Sequence, residues 1–220
     1  MWKGLAGSAV AGAGLYAARR YYRNWGTTKD ECESPLPGDE LVPEPVLQTT
    51  EGVWIEATAE EVWPWLVQMG QDRGGLYSYE KLENLFGAEH RNADRIHPEW
   101  QHLAVGDVIR VFPRGWMGLS EGIGLPVARL VEGESIVLRL QPPDLPVDGV
   151  WSFHVVPRWE DRCRLLVRTR LSMRVPGGAV SAGRSAATRG MIGAEAAGPV
   201  MSLMTRGMLL GIKRRVEQSF

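Results

Sequence analysis

Cysteine is scarce in this chain. The 220 residues include only two cysteines, Cys32 and Cys163. Cys32 lies in a polar stretch and Cys163 begins an alternating segment, so we expect no disulfide between them. The chain has no Cys-x-x-Cys pair and no Cys/His finger spacing. This cysteine usage suits a reducing compartment.

Net charge is also small. The chain has 25 Lys and Arg residues against 26 Asp and Glu residues, a formal net charge of −1. A protein that binds nucleic acid through its phosphates usually carries a strongly basic surface. Nucleic acid is therefore not an expected partner of this chain.

Motifs for cofactors and metals are missing as well. The sequence has no phosphate-cradling loop and no Gly-x-Gly-x-x-Gly dinucleotide fingerprint. Five potential metal ligands do lie close together in one polar stretch: His90, Asp94, His97, Glu99 and His102. Their spacing matches no usual zinc signature. We predict no metal, no cofactor and no assigned catalytic residue.

Residues 52–111 are the most informative stretch of the sequence. Val53 and Ile55 alternate with their neighbours at the period of a sheet, which predicts a strand with two different faces. Directly after it, Thr58 and Glu61 have the spacing of a capping box, which predicts the start of a helix.

Two short helices are predicted after this first strand. The first carries an apolar stripe over residues 62–69, with Pro64 inside it, so a kink or a short first turn is expected. The second covers residues 79–86 and ends at Gly87. Further strands are predicted at residues 108–112, 125–131, 135–140, 149–157 and 163–174.

The C-terminal part predicts a loop followed by a helix. Residues 177–198 are rich in Gly, Ala and Ser, which favours a mobile loop, and Pro199 suits the first turn of a helix. Apolar residues then recur at intervals of three and four, which is typical of an amphipathic helix: Met201, Met204, Met208, Ile212 and Val216.

The last predicted strand has two unlike faces. Cys163, Leu165 and Val167 belong to the face that should point to the interior, and arginines such as Arg164 and Arg168 belong to the other face. We expect these arginines to be solvated. In the preceding strand a lone His154 points to the opposite face from Phe153, and a histidine in this setting is more often structural than catalytic.

Several motifs of this stretch resemble those of the START-like superfamily, which includes polyketide cyclase/dehydrase and lipid-transport proteins. The matching segments are residues 62–70, 73–79, 82–85, 92–96 and 98–101. The resemblance covers the chain from about Pro45 onward and is strongest to an actinobacterial branch of unassigned function. It implies an α+β helix-grip fold: a curved antiparallel sheet of about six strands wrapped on a long C-terminal helix, with two short helices after the first strand.

The resemblance also implies a ligand cavity between the sheet and the last helix. The residues expected to bind ligand are Trp65, Tyr77, Tyr79, Asn92, Arg95, Trp100, Trp116, Met204 and Met208. The leading expectation is binding or transfer of a hydrophobic small molecule, a lipid or a polyketide-like compound. Two alternatives stay open: a cyclase or dehydrase acting on a similar ligand, and a structural or regulatory partner protein whose own side chains fill the core.

Two segments precede this domain, which is predicted to cover residues 46–220. Residues 1–23 contain an uncharged run with aromatic and cationic flanks, so residues 2–18 are a candidate membrane anchor that would leave the domain cytoplasmic. A secretory signal, a helix lying on the membrane surface and a disordered tail are the alternatives. Residues 24–45 are predicted to be an acidic linker that four prolines keep extended. The oligomeric state is not predicted.

Overall fold

The computed structural model describes residues 19, 21–174 and 184–218, and for residues 184–197 it describes the backbone alone. Within those ranges, no helix is both long enough and apolar enough to cross a membrane. The candidate anchor, residues 2–18, lies outside the described residues.

Six antiparallel strands form one sheet in the order β1-β6-β5-β4-β3-β2. The strands are β1 (Leu47–Ile55), β2 (Val108–Phe112), β3 (Ile123–Val131), β4 (Ser135–Leu140), β5 (Val147–Trp159) and β6 (Arg162–Met173). The helices are α1 (Lys29–Glu33), α2 (Ala59–Val67), α3 (Glu80–Leu85) and α4 (Arg184–Glu217). Short 3-10 turns lie at Asp39–Leu41, Pro98–Trp100 and Trp116–Gly118. This is the helix-grip arrangement, so the fold predicted from the START-like resemblance is confirmed.

The strand register puts one face of the sheet against the helices. Ile55 pairs with Cys163, and Phe153 pairs with Val167, and all four side chains are buried in one apolar cluster. Helix α4 packs mainly on β1, and α2 packs on β5. We call this helix-covered side the inner face.

Helix α2 begins as the sequence predicts. The Thr58 hydroxyl accepts a hydrogen bond from the Glu61 amide at 3.3 Å, and the Glu61 carboxylate accepts one from the Thr58 amide at 2.7 Å. Two amides at the helix start are thereby satisfied. Pro64 lies inside this nine-residue helix.

The loop predicted over residues 177–198 is wrong from residue 184 onward, because α4 already begins at Arg184. Pro199 therefore lies inside the helix instead of in its first turn. Most residues from 184 to 198 are good helix formers such as alanine, and the helix tolerates the glycines among them. Farther along, Met208 and Ile212 of α4 are buried against the inner face.

The expectation of a solvated outer face on β6 is also wrong. Arg164 and Arg168 are only 2% and 1% exposed. The segment predicted as an extended acidic linker folds over them, and Glu31 bonds Arg164 at 2.7 Å while Asp39 bonds Arg168 at 2.6 Å. The predicted division of the chain into residues 24–45 and a domain at residues 46–220 stays a prediction.

Backbone carbonyls of the same segment complete the site around Arg168. Its guanidinium donates to the carbonyls of Ser34 at 2.8 Å, Glu31 at 2.7 Å and Cys32 at 3.0 Å. A buried charge is tolerated when it is paired and fully hydrogen-bonded. The acidic segment and the arginines of β6 therefore complement each other.

We expect Arg168→Met to lower the free energy of unfolding by about 2 kcal/mol, because three carbonyls lose a donor and Asp39 keeps only its longer contact to Arg170, at 3.2 Å. Urea denaturation measures this loss. Limited proteolysis should also show earlier cleavage within residues 24–45.

The matched control is Arg158→Met, which removes an exposed guanidinium from β5 and should change stability by less than about 0.5 kcal/mol. Equal effects of the two substitutions would contradict the structural role of Arg168.

Candidate functional site at the open end of the grip

Burial on the inner face declines toward one end of the sheet. The fully buried positions are Leu125, Leu138 and Phe153, each 2% exposed or less. Two positions further along the same strands and on the same face, the side chains are only partly buried: Ile123, Leu140 and Trp151. The filled core thus gives way to an accessible apolar surface.

Helix α4 shows the same trend in the same direction. Met208 is 2% exposed, Met204 one turn earlier is half-buried, and Met201 is 38% exposed. Phe112 adds a half-buried ring at the end of β2, and Trp116 stacks on it with ring centroids 3.8 Å apart. We call the surface formed by Phe112, Ile123, Leu140 and Trp151 the open end of the grip.

A buried carboxyl lies on β1, level with the fully buried Phe153 and one inward-facing position away from the level of Trp151. Glu51 pairs with Val167 in the sheet and points to the inner face, where it is 2% exposed. The Ser202 hydroxyl of α4 donates to its Oε2 at 3.1 Å. Burial raises the pKa of Glu51 to about 8, although the Ser202 hydrogen bond and the charge of Arg206 oppose the shift. Glu51 is therefore protonated at neutral pH and can donate a hydrogen bond.

The predicted site residues occupy several different places. Trp65, Tyr77 and Met208 are buried in the middle of the grip, and Trp116, Tyr79 and Met204 lie toward the open end or beside it. Asn92, Arg95 and Trp100 belong to the loop between α3 and β2. Their role in ligand binding stays a prediction.

Tyr77 fills the middle of the grip. Its hydroxyl donates to the Trp65 carbonyl at 3.0 Å, and its ring meets the Trp65 ring edge-on at 5.7 Å. Burial raises the pKa of this phenol further above its usual value. Its backbone is left-handed, with φ of 59°, and its carbonyl lies against Gly211 of α4 so closely that a Cβ would not fit. Tyr77 thus locks the helix to the sheet.

Asn92 holds this conformation of Tyr77. Its Oδ1 accepts from the Tyr77 amide at 2.7 Å, and its Nδ2 donates to the Ser78 carbonyl at 3.2 Å. Both ends of the amide are thereby used inside the protein, which is a structural role.

Arg95 and Trp100 are also tied to the fold through their backbones. The Arg95 carbonyl accepts from buried Gln68 at 3.1 Å, and the Trp100 carbonyl accepts from Arg73 at 2.8 Å. The side chain of Arg95 is exposed, and the Trp100 ring packs at a tilt against His97, with ring centroids 4.2 Å apart. The loop that carries the most recognisable motif is thus held down by main-chain contacts.

A second buried polar pair closes the turn after α3. His90 Nδ1 lies 3.0 Å from Glu83 Oε2, and His90 Nε2 lies 2.6 Å from the Val111 carbonyl. Burial by itself lowers the pKa of His90, but the Glu83 carboxylate and the Val111 carbonyl raise it overall. Glu83 also accepts a hydrogen bond from the Ser78 hydroxyl, so both of its oxygens are used within this turn.

His154 lies on the outer face, away from the open end. Its Nε2 is 2.9 Å from the Ser152 hydroxyl. Burial, with the charge of Arg168 added to it, lowers its pKa to about 4, so it is neutral at physiological pH. Among the described residues, no three His, Cys, Asp or Glu side chains are grouped as a metal site would require.

Residues 118–122 match the Gly-x-Ser-x-Gly pattern of hydrolases. Here the pattern leads from a 3-10 turn into β3, whereas a nucleophile elbow leads from a strand into a helix. The Ser120 hydroxyl donates to the Asp144 carboxylate at 2.9 Å on an exposed surface. The pattern therefore does not identify Ser120 as a nucleophile.

Two grooves lie on other surfaces. One of about 410 Å³ lies between α2 and the end of β3, lined by residues such as Trp63, Leu103 and Leu130. Another of about 360 Å³ lies beside Arg110 and Arg139 on the outer face. The lining of neither groove includes a residue of α4.

The reasoning from sequence missed Glu51 and the four residues that form the open end. Glu51 had a detectable signal, because it alternates with Val53 and Ile55 and is therefore a carboxylate on the apolar face of the first strand. The four residues of the open end had no such signal in the sequence, because half-buried and fully buried apolar residues have the same pattern along a strand.

No protein-family model matches the chain, and no curated protein matches it. Solved structures do match over most of its length. Truncated norcoclaurine synthase from Thalictrum flavum has 14% sequence identity and a TM-score of 0.45, covering 77% of this chain and 92% of that one. A protein from Thermobifida fusca, solved by NMR in solution, has 15% identity and a TM-score of 0.48, covering 78% and 93%.

The di-domain ARO/CYC from the steffimycin biosynthetic pathway also matches. It has 12% identity and a TM-score of 0.43, and the match covers 78% of this chain and 51% of that one. Likeness at this level says nothing of function. The assignment of a START-like helix-grip fold to this chain accords with its own strand order and helix packing.

Glu51 predicts a pH dependence of stability. Its folded pKa of about 8 is above the ordinary value of 4.5, so the folded state holds this proton more tightly than the unfolded state. The contribution of Glu51 is largest below pH 4.5 and falls as pH rises toward 8, by up to about 1.4 kcal/mol per pH unit.

We expect Glu51→Gln to remove this dependence, since the amide keeps the size of the side chain and does not titrate. Urea denaturation of both proteins between pH 5 and 8 measures it, because other groups cancel in the difference. A difference in stability that stays constant with pH would show that Glu51 is ionised in the folded protein.

Proposed function

We propose that the protein binds a hydrophobic small molecule at the open end of the grip. The single observation that carries the proposal is the loss of burial along three strands and α4 toward the same end. Aromatic and aliphatic side chains that are only half-covered offer apolar area to a ligand without unfolding the core.

Glu51 and Ser202 would supply the polar, inner end of this site, since Glu51 is level with Phe153, one inward-facing position deeper than Trp151. A protonated carboxyl in apolar surroundings donates a hydrogen bond to a carbonyl, hydroxyl or ether oxygen of a ligand, and it repels no neutral molecule. The ligand class that fits is therefore neutral and largely apolar, with an oxygen at one end. A lipid and a polyketide-like compound both have this chemistry.

Three of the residues predicted from sequence belong to the proposed site. Trp116 would extend the apolar surface beyond Phe112, and Met204 would cover the ligand from α4 with an adaptable, polarisable side chain. Tyr79 packs on Gly207 of the same helix. Trp65, Tyr77 and Met208 would limit how deep the ligand can reach.

Residues 2–18 keep their proposed role as a membrane anchor. A segment that holds the domain at a membrane would place the open end close to a source of apolar ligands, which suits a binding or transfer protein better than a freely diffusing one.

An enzyme of the cyclase or dehydrase type is the second candidate, and Glu51 is the observation that favours it. An acid with a pKa near 8 can protonate a carbonyl or hydroxyl oxygen at neutral pH. The Ser202 contact fixes its orientation. Binding and catalysis would use the same residue at the same place.

We expect Trp151→Ala to weaken binding of a neutral fluorescent fatty-alcohol probe about tenfold, because it removes a large aromatic surface from the site. The matched control is Trp159→Ala, which removes a tryptophan that is 61% exposed at the far end of the same strand. The measurement is probe titration, with urea denaturation to confirm that both variants are folded.

A folded Trp151→Ala variant that binds the probe like the wild type would place the ligand elsewhere. Mass spectrometry of small molecules that co-purify with the wild type and with Glu51→Gln then separates the two functions. A binder retains the same compound in both proteins, whereas an enzyme that uses Glu51 retains an unconverted compound in the variant.

A further inference from the structure

Large apolar side chains are exposed on two neighbouring protrusions. Helix α3 and the residue after it expose Leu82, Leu85 and Phe86, at 41%, 78% and 64%, and the 3-10 turn before β3 exposes Met117 at 77%. We call these four residues the tip surface. These exposed side chains add nothing to the apolar core. An exposed apolar patch commonly marks a surface that binds another molecule.

The two protrusions are joined to each other. Trp116 Nε1 donates to the Phe86 carbonyl at 2.9 Å, and the Trp116 ring is stacked on Phe112 of the open end. The tip surface is therefore continuous with the open end of the grip.

Both protrusions are held in place. Met117 has a left-handed backbone, with φ of 47°, between Gly115 and Gly118, which is disfavoured for a residue with a side chain. The turn after α3 is clamped by Asn84, whose amide group bonds both the carbonyl and the amide of His90, at 2.7 and 2.6 Å. Exposed apolar side chains on a fixed backbone are suited to contact with another apolar surface.

The position of Tyr21 on α4 supports a lipid surface as that partner. Arg206 of α4 donates to the Tyr21 hydroxyl at 3.2 Å, and the next residue, Gly207, packs against Tyr79 at the start of α3. Tyr21, which follows the uncharged run and its cationic and aromatic flanks in the sequence, is thus bound to the same part of α4 that contacts Tyr79.

We propose that the tip surface inserts into the interface of a lipid bilayer. The described residues near it carry no excess of positive charge: Lys81 and Arg114 lie near Glu80 and Glu121, with Arg114 3.2 Å from Glu121, and Glu89 and Asp144 add negative charge. Burial of apolar side chains therefore supplies the binding, and it depends little on salt or on anionic lipid. The inference goes beyond the proposed function and uses its open end only as the neighbouring surface.

The test places an environment-sensitive fluorophore on the full chain at Leu85→Cys or Met117→Cys. The matched control is Val108→Cys, a 50% exposed residue of β2 that faces outward. All three carry Cys32→Ser, so that the half-buried native thiol is not labelled. Vesicles of phosphatidylcholine, with and without a lipid-attached quencher, are added at low and high salt.

We expect labels at positions 85 and 117 to shift to the blue and to lose about half or more of their emission to the quencher, while the label at 108 is unchanged. Leu85→Ser combined with Met117→Ser should lower vesicle binding about a hundredfold, because each buried side chain contributes about tenfold. The label readout does not depend on residues 2–18 or on ligand uptake.

Three outcomes would overturn the proposal. Vesicle binding without a shift at positions 85 and 117 would mean that another part of the chain carries it. A shift that needs no vesicles and grows with protein concentration would identify a second copy of the chain as the partner. A label that is protected without vesicles at every concentration would mean that the chain covers its own tip surface.

Discussion

The buried guanidinium of Arg168 is the interaction on which the layout of this protein depends. A charge that is 1% exposed on the outer face of a sheet has to be covered by acceptors. The acidic N-terminal segment supplies Asp39 and three carbonyls to Arg168, and Glu31 of the same segment pairs with neighbouring Arg164. The outer face near β6 is thus buried, and His154 becomes a neutral structural residue beneath the segment. The accessible apolar surface next to the core is left on the inner face.

The inner face is then divided by Tyr77. Its left-handed backbone brings its carbonyl against Gly211 and its ring against Trp65, so the middle of the grip is filled by the loop before α3. Asn92 holds that loop through its side-chain amide. The motif with the clearest resemblance to the START-like superfamily therefore carries the packing of α4 on the sheet. Its conspicuous polar residues satisfy the backbone, which is why their presence in a sequence identifies a fold more readily than a ligand.

Strand and helix types follow from local patterns, and this is why the six strands, the capping box at Thr58 and the amphipathic face of α4 were predictable. The placement of Arg168 was not, because an arginine that alternates with apolar residues has the same pattern whether water or another segment covers it. The start of α4 at Arg184 was missed because glycine and alanine were read together, although they have opposite effects on a helix. Glu51 was predictable as an inward-facing carboxylate, but its protonation depends on α4, which lies about 150 residues away in sequence.

The filled middle of the grip has a consequence for the size of any ligand. With Tyr77, Trp65 and Met208 in place, a ligand of the proposed site would contact the inner face at its open end, so a long apolar ligand would leave part of its surface outside the protein. That part needs apolar surroundings of its own, because exposing it to water opposes binding. The tip surface lies directly beside the opening through Trp116 and Phe112. A bilayer against the tip surface would cover the part of the ligand that the grip leaves exposed. The shallow site and the tip surface would then act together to keep a long apolar ligand out of water.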